Sequence, residues 1–310
     1  MLAKKELYPL KGIVTVLNTP FTKEDNIDHA ALKNNVEEAL KAGVTGILVP
    51  AMAAEVYKLS HSERLEMLST VLETVGDRIP VIGGAGETDL NKSKELLKAY
   101  MQLGCKNVLF QIPFVEEQQF RNHFMELAAL DPEVIMLQDW DATGYGLSDE
   151  IIVDLFEKVA AFQCLKIETV PAGPKYSRIL ELTQGKLNVS GGWAVTQMLE
   201  GLQRGVHAFM PTGMHFIYTS IYRMYLEDRT EDAEALFGKI IPVLNFSNQH
   251  LDISIHFFKR LLYRQGIYNT PHVRHPILPF DAVHKKLADQ HIDTIIKLEN
   301  QLKAQKSNIY

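Results

Sequence analysis

Asn107-Val108-Leu109-Phe110-Gln111-Ile112 leads into an amphipathic run over 116–130 and then into Val134-Ile135-Met136-Leu137-Gln138. Both outer segments are short and apolar, as strands buried on two faces are, while the middle one repeats its apolar residues with helical period. A strand, a helix and a second strand in that order make the crossover unit of a parallel sheet. The unit recurs in both directions along the chain. Strands are predicted at 12–17, 46–50, 80–83, 107–112, 134–138, 165–167, 187–189 and 207–210. Helices are predicted between them at 28–42, 61–75, 91–103, 116–130, 149–162, 175–183 and 195–204. Gly43, Gly76, Gly104, Gly185 and Gly205 follow helical runs, where left-handed caps belong, and Asp28, Ser60, Asp89 and Ser148 precede them as N-caps. Eight units of about 25 residues match the α/β class and a (β/α)8 TIM barrel of roughly 250 residues. A doubly wound sheet is the competing architecture, and eight units without a long interruption argue for closure. The barrel is expected over 1–215. Residues 216–310 carry no strand signal and are expected to form a helical region packed on it, broken at Arg274-His275-Pro276 before a last helix over 281–302.

Hydrophobic residues make up 46% of the 310 and charged ones 23%, a globular mix able to bury a large core. The net charge of −6 argues against nucleic acid as a partner, since phosphate backbones are bound by basic surfaces. No run approaches the ~20 apolar residues of a membrane span. Cys105 and Cys164 lie in apolar stretches and imply no disulfide framework, and the first residues lead into no signal-like segment. A cytoplasmic protein meeting small molecules is expected.

Cys164-Leu165-Lys166-Ile167-Glu168-Thr169 places a lysine inside a short apolar run. Lysine is rarely buried unless paired. Desolvation disfavours a charged amine, and a neutral amine can attack a carbonyl carbon. The plainer alternative is an ion pair with Glu168, which lies two residues on and so shares a strand face with Lys166. Barrel enzymes gather their reactive groups at the C-terminal ends of the strands, and Lys166 belongs to the sixth.

Thr19-Pro20-Phe21, Pro80-Val81-Ile82-Gly83-Gly84-Ala85-Gly86, the lysine strand and Arg274-His275-Pro276 together carry a resemblance. The chain resembles the dihydrodipicolinate synthase/N-acetylneuraminate lyase family of class I aldolases and lyases over nearly its whole length. The resemblance implies a barrel with a helical tail, commonly a homotetramer. It also implies a lysine, here Lys166, that forms a Schiff base with a 2-oxo acid substrate such as pyruvate and needs no cofactor. The family's Gly-Thr-Thr-Gly-Glu loop, which holds the substrate carboxylate, reads Ala51-Met52-Ala53-Ala54-Glu55. Glu55 is kept and both hydroxyls are lost, so Met52 and Ala53 are left with main-chain N–H groups to offer an anion. Aligning Thr143-Gly144 with the family's Thr-Gly puts its usual tyrosine near Leu137; its partner tyrosine reads Phe114-Val115, and the preceding arginine is Ala142. These departures reject dihydrodipicolinate synthase itself.

Gln138-Asp139-Trp140-Asp141 stands in place of that relay. With Lys166-Ile167-Glu168 it is similar to the branch of 2-keto-3-deoxy sugar acid dehydratases. Once an imine forms, the neighbouring carbon loses a proton readily, and Asp139 or Glu168 could carry it. The plain readings are a loop cap for Asp139 and a lysine-orienting partner for Glu168. Gln138 and Trp140 are expected to hydrogen-bond or stack on a polyol. In Ser190-Gly191-Gly192-Trp193 the two glycines would let a ligand approach the backbone, and Met210 would line the pocket beside the imine. No metal is expected, because no His-Glu-x-x-His or paired-cysteine spacing occurs. The leading expectation is a Schiff-base dehydratase or aldolase on a 2-oxo acid. The alternative is a catalytically impaired relative that binds a ligand or regulates.

Overall fold

The computed structural model describes residues 5–192 and 195–307. Eight strands pair in sequential order and close into a barrel, confirming the expected (β/α)8 architecture. They are β1 (Gly12–Val16), β2 (Gly46–Val49), β3 (Val81–Gly84), β4 (Asn107–Phe110), β5 (Val134–Asp141), β6 (Phe162–Thr169), β7 (Asn188–Gly191) and β8 (Ala208–Phe209). The helices between them are α1 (His29–Ala42), α2 (His61–Val75), α3 (Leu90–Gln102), α4 (Glu117–Ala128), α5 (Asp149–Lys158), α6 (Gly173–Leu182) and α7 (Met198–Gln203). After β8 come α8 (His215–Leu226), α9 (Thr230–Ser247), α10 (Leu251–Arg264) and α11 (Ala282–Ser307).

By packing, the chain groups into two units, Met1–Gly12 with Pro80–Met210 and Ile13–Ile79 with Pro211–Tyr310. The first holds β3 to β8 and α3 to α7. Its core gathers Phe124 and Phe156 edge-on around Phe162, with centroids 5.2 and 6.2 Å away. Burying each such ring contributes about 1.5–3 kcal/mol. The second unit holds β1, β2, α1, α2 and α8 to α11. Its core sets Phe257 5.2 Å from Phe258 and 5.7 Å from Phe246.

Local chemistry explains most element ends. Asp28 accepts the Ala31 N–H to start α1, and Gly43 ends it at φ 90°, where a side chain would be strained. Ser60 and Glu63 form a reciprocal capping box at the head of α2. Some strands are longer than expected: β5 runs past Gln138 to Asp141, and β6 extends at both ends. β6 begins at Phe162, whereas the sequence assigns that residue to the end of the preceding helix. The α5 helix stops at Lys158, and Phe162 turns its ring into the core.

Candidate active site

Side chains alternate along a strand, and aligned residues of neighbouring parallel strands point the same way. In the first unit Gln138 of β5 aligns with Lys166 of β6, and Lys166 aligns with Ser190 of β7. One layer further, Trp140 aligns with Glu168. Lys166 and Glu168 are both buried. Lys166 Nζ stands 3.1 Å from Glu168 Oε1, and the Gln138 amide donates to the other carboxylate oxygen. A row of amide, carboxylate and amine results, and within it the Lys166 amine has a proton acceptor in direct reach.

Gly192 is part of that geometry. A Cβ there would overlap the Glu168 carboxylate, so the missing side chain makes room for Glu168. Gly191 points the other way: a Cβ at that residue would meet the Tyr176 hydroxyl at 2.8 Å and the Phe209 ring at 3.3 Å. The sequence reading left both glycines open for ligand approach, and the space beside each holds a protein group. Burial and the nearby Glu168 and Glu200 carboxylates push the Tyr176 phenol up. Met210 is buried and donates its N–H to the Gly191 carbonyl at 2.9 Å. Trp193, expected in this turn, lies outside the described residues.

Asp139 sits between Gln138 and Trp140 on β5 and therefore faces away from them. Its carboxylate pairs with the Lys175 ammonium of α6 and accepts the Leu147 N–H at 2.9 Å. The structure does not bring Asp139 to Lys166. Burial pushes its carboxyl up while Lys175 pulls it back. Burial likewise draws the Lys175 amine down, and Asp139 opposes that. Three acceptors surround that ammonium, so the charged pair is the state the geometry supports. Sequence reading missed Lys175, since a lysine in the first turn of an outer helix carries no signal of burial.

The 51–55 segment belongs to the second unit. Asn18 donates to the Ala53 carbonyl at 2.7 Å and Thr19 to the Ala54 carbonyl at 2.6 Å. The Ala54 and Glu55 N–H groups are used inside the turn, on Ala51 and Met52 carbonyls. Met52 and Ala53 are half-buried. Glu55 adopts φ 57° with no exposed surface. Its carboxylate meets Lys58 Nζ at 3.0 Å, the Lys259 ammonium of α10 and the Arg274 N–H at 3.3 Å. Burial draws the Lys259 amine down to about 8, and Glu55 opposes the shift. Glu55 thus braces its loop against α10 and the 272–274 segment. Among the described residues, no group of three or more His, Cys, Asp or Glu is placed to hold a metal ion.

Comparison with known proteins adds the lineage. The model of the Dihydrodipicolinate synthetase family matches residues 9–295. The chain belongs to this family. Members of the Dihydrodipicolinate synthetase family are class I lyases, and this chain is one of its lyases. A 4-hydroxy-tetrahydrodipicolinate synthase of Methanococcoides burtonii is 27% identical over 290 residues, 89% of this chain and 95% of that protein. An L-2-keto-3-deoxyarabonate dehydratase of Azospirillum brasilense is 26% identical over 282 residues, 86% of this chain and 88% of that protein. The crystal structure of dihydrodipicolinate synthase from Rhodopseudomonas palustris shares the fold, with a TM-score of 0.86 over 94% of this chain and 100% of that one at 17% identity. No helix among the described residues is long and apolar enough to cross a membrane.

Proposed function

We propose that this family member forms a Schiff base at Lys166 and dehydrates a 2-oxo acid, with a 2-keto-3-deoxy sugar acid as the substrate class. The observation that carries the reading is the Gln138–Glu168–Lys166 row. Lys166 must lose a proton before it attacks C2, and Glu168 is in reach to take it. Glu168 returns that proton to the carbinolamine hydroxyl, which leaves as water; this regenerates the carboxylate and gives an iminium that withdraws electrons from C3. Glu168 then removes a C3 proton, and the resulting enamine expels the C4 hydroxyl. That group leaves as water, with the proton returned by Glu168. Hydrolysis of the imine frees Lys166 and the dehydrated acid. The Gln138 amide, donating to one carboxylate oxygen, keeps Glu168 aimed at the reacting carbons. Asp139 has no part in this scheme, since it lies on the opposite strand face.

The similarity to a protein named as a 2-keto-3-deoxy acid dehydratase supports the choice of reaction. C–C cleavage would use the same imine and release pyruvate instead. The test is to incubate the purified chain with 2-keto-3-deoxy pentonates and hexonates and identify the products by mass. Loss of one water supports the proposal. Release of pyruvate plus an aldehyde replaces dehydration by an aldolase reaction, and no turnover favours the binding or regulatory alternative. We also propose a homotetramer, supported by the generally oligomeric family and checked by light scattering. A cytoplasmic setting is supported by two free, buried cysteines.

A further inference from the structure

Lys175 is a lysine with no exposed surface that the chemistry at Lys166 does not use. Besides the Asp139 carboxylate, its ammonium donates to the main-chain oxygens of Tyr145 at 2.5 Å and Leu147 at 2.6 Å. It also lies 4.5 Å from the centre of the Tyr145 ring. One charge on α6 therefore ties down the end of β5 and the loop that leaves it. The loop has its own turn chemistry. The Asp141 carboxylate accepts from the Thr143 N–H at 2.9 Å, the Thr143 hydroxyl at 3.0 Å and the Gly146 N–H at 3.2 Å. Gly146 has φ 75°, and a Cβ there would overlap Asp139. The Val170 N–H, just past β6, donates to the Gly144 carbonyl at 3.3 Å. All of these contacts lie within the first unit.

The braced segment presents two aromatic rings to solvent, Trp140 at 41% and Tyr145 at 42% exposure. Trp140 aligns with Glu168, two residues or about 6.6 Å further along the strand than Lys166. A three-carbon acid bound at Lys166 spans less than that distance. The carbons beyond C4 of a longer acid have the length to reach Trp140 and the loop. Stability is a weak reason to keep a buried ion pair, since apolar replacements are often neutral or better. Placement of a mouth loop is a stronger one.

Resting on the imine reading at Lys166, we propose that Lys175 is a positioning residue: by fixing Asp139 and the 142–148 loop, it sets the preference for long over three-carbon 2-oxo acids. Rigid support of a binding loop acts on the part of the substrate that the loop touches and leaves the attachment point alone.

The test compares the full chain with Lys175→Met. A second variant, Lys175→Met with Asp139→Asn, removes the unpaired carboxylate should the single variant fold poorly. Each is checked by circular dichroism, then trapped with borohydride on pyruvate and on 2-keto-3-deoxy pentonate and hexonate across a concentration series. The expected result is pyruvate trapping within about twofold of wild type and trapping of the longer acids weakened about tenfold or more, carried by half-saturation. Folded variants whose rates change in equal proportion for short and long acids overturn the inference and leave Lys175 a brace. A wild type that traps pyruvate alone overturns it too, while leaving the imine reading intact. A wild type that traps no acid removes both.

Discussion

Buried lysine–carboxylate clusters occur in both units of this protein, and two of them, one taken from each unit, are built for different ends. In the second unit Lys259 meets the Glu55 carboxylate, donates to the His272 carbonyl at 3.0 Å and lies 4.2 Å from the centre of the Phe21 ring. Neither side chain has any exposure, and Lys58 fills the remaining carboxylate oxygen. In the first unit the pair is Lys166 and Glu168, at 7% and 10% side-chain exposure. There, among the described residues, the lysine meets a carboxylate and no main-chain oxygen. A buried lysine by itself therefore does not mark a nucleophile. An ammonium tied to a fixed carbonyl as well as a carboxylate is held in place, whereas one facing a carboxylate alone keeps a proton acceptor in reach and is free to turn to a substrate.

That contrast can be broken at several points. The largest effect is expected for Glu168→Gln. The carboxamide preserves shape and can accept neither the Lys166 proton nor the C3 proton, so kcat should fall by roughly 10²–10⁴-fold. Unchanged kcat would remove Glu168 from proton transfer. Next, Lys259→Met leaves the Glu55 carboxylate with less compensation and should cost about 3–5 kcal/mol by denaturant unfolding, with kcat per folded molecule preserved. A large kcat loss in folded protein would show that the two clusters are not functionally separate.

The third concerns a buried group that is held neutral. His215 is enclosed, with Nδ1 3.2 Å from the Thr15 hydroxyl and Nε2 3.2 Å from Asn35 Oδ1. The amide oxygen can only accept, so Nε2 carries the proton and Nδ1 accepts from Thr15. Burial draws His215 down from 6.5 to about 4. The unfolded chain therefore binds more protons than the native one between those values. The contribution is fully present above pH 6.5 and is lost as pH falls towards 4, about 3 kcal/mol in all. Substituting His215→Gln should flatten that part of the stability curve measured by urea unfolding. An unchanged slope would mean that another group controls it.

Much of the fold was legible because parallel barrel strands are buried on both faces and read as short apolar runs, as at Val108-Leu109-Phe110. The start of β6 was not, because the chain passes from α5 into Phe162 without a Gly or Pro to mark the change. Within the site, Lys166 and Glu168 were legible from their spacing of two. The same rule carried a signal about Asp139 that went unused: flanked by Gln138 and Trp140, it had to face the helix layer if they faced Lys166. The Lys259 partner of Glu55 was out of reach, because it lies some 200 residues away and only folding brings it near.

The most direct measurement is borohydride trapping on the intact chain with pyruvate and 2-keto-3-deoxy sugar acids, read by mass and peptide mapping, beside Lys166→Ala. Predicted is a reduced adduct located on Lys166 and absent from the variant. An adduct on Lys259 or Lys175, or equal trapping in Lys166→Ala, would contradict the claim that the lysine facing a lone carboxylate is the nucleophile.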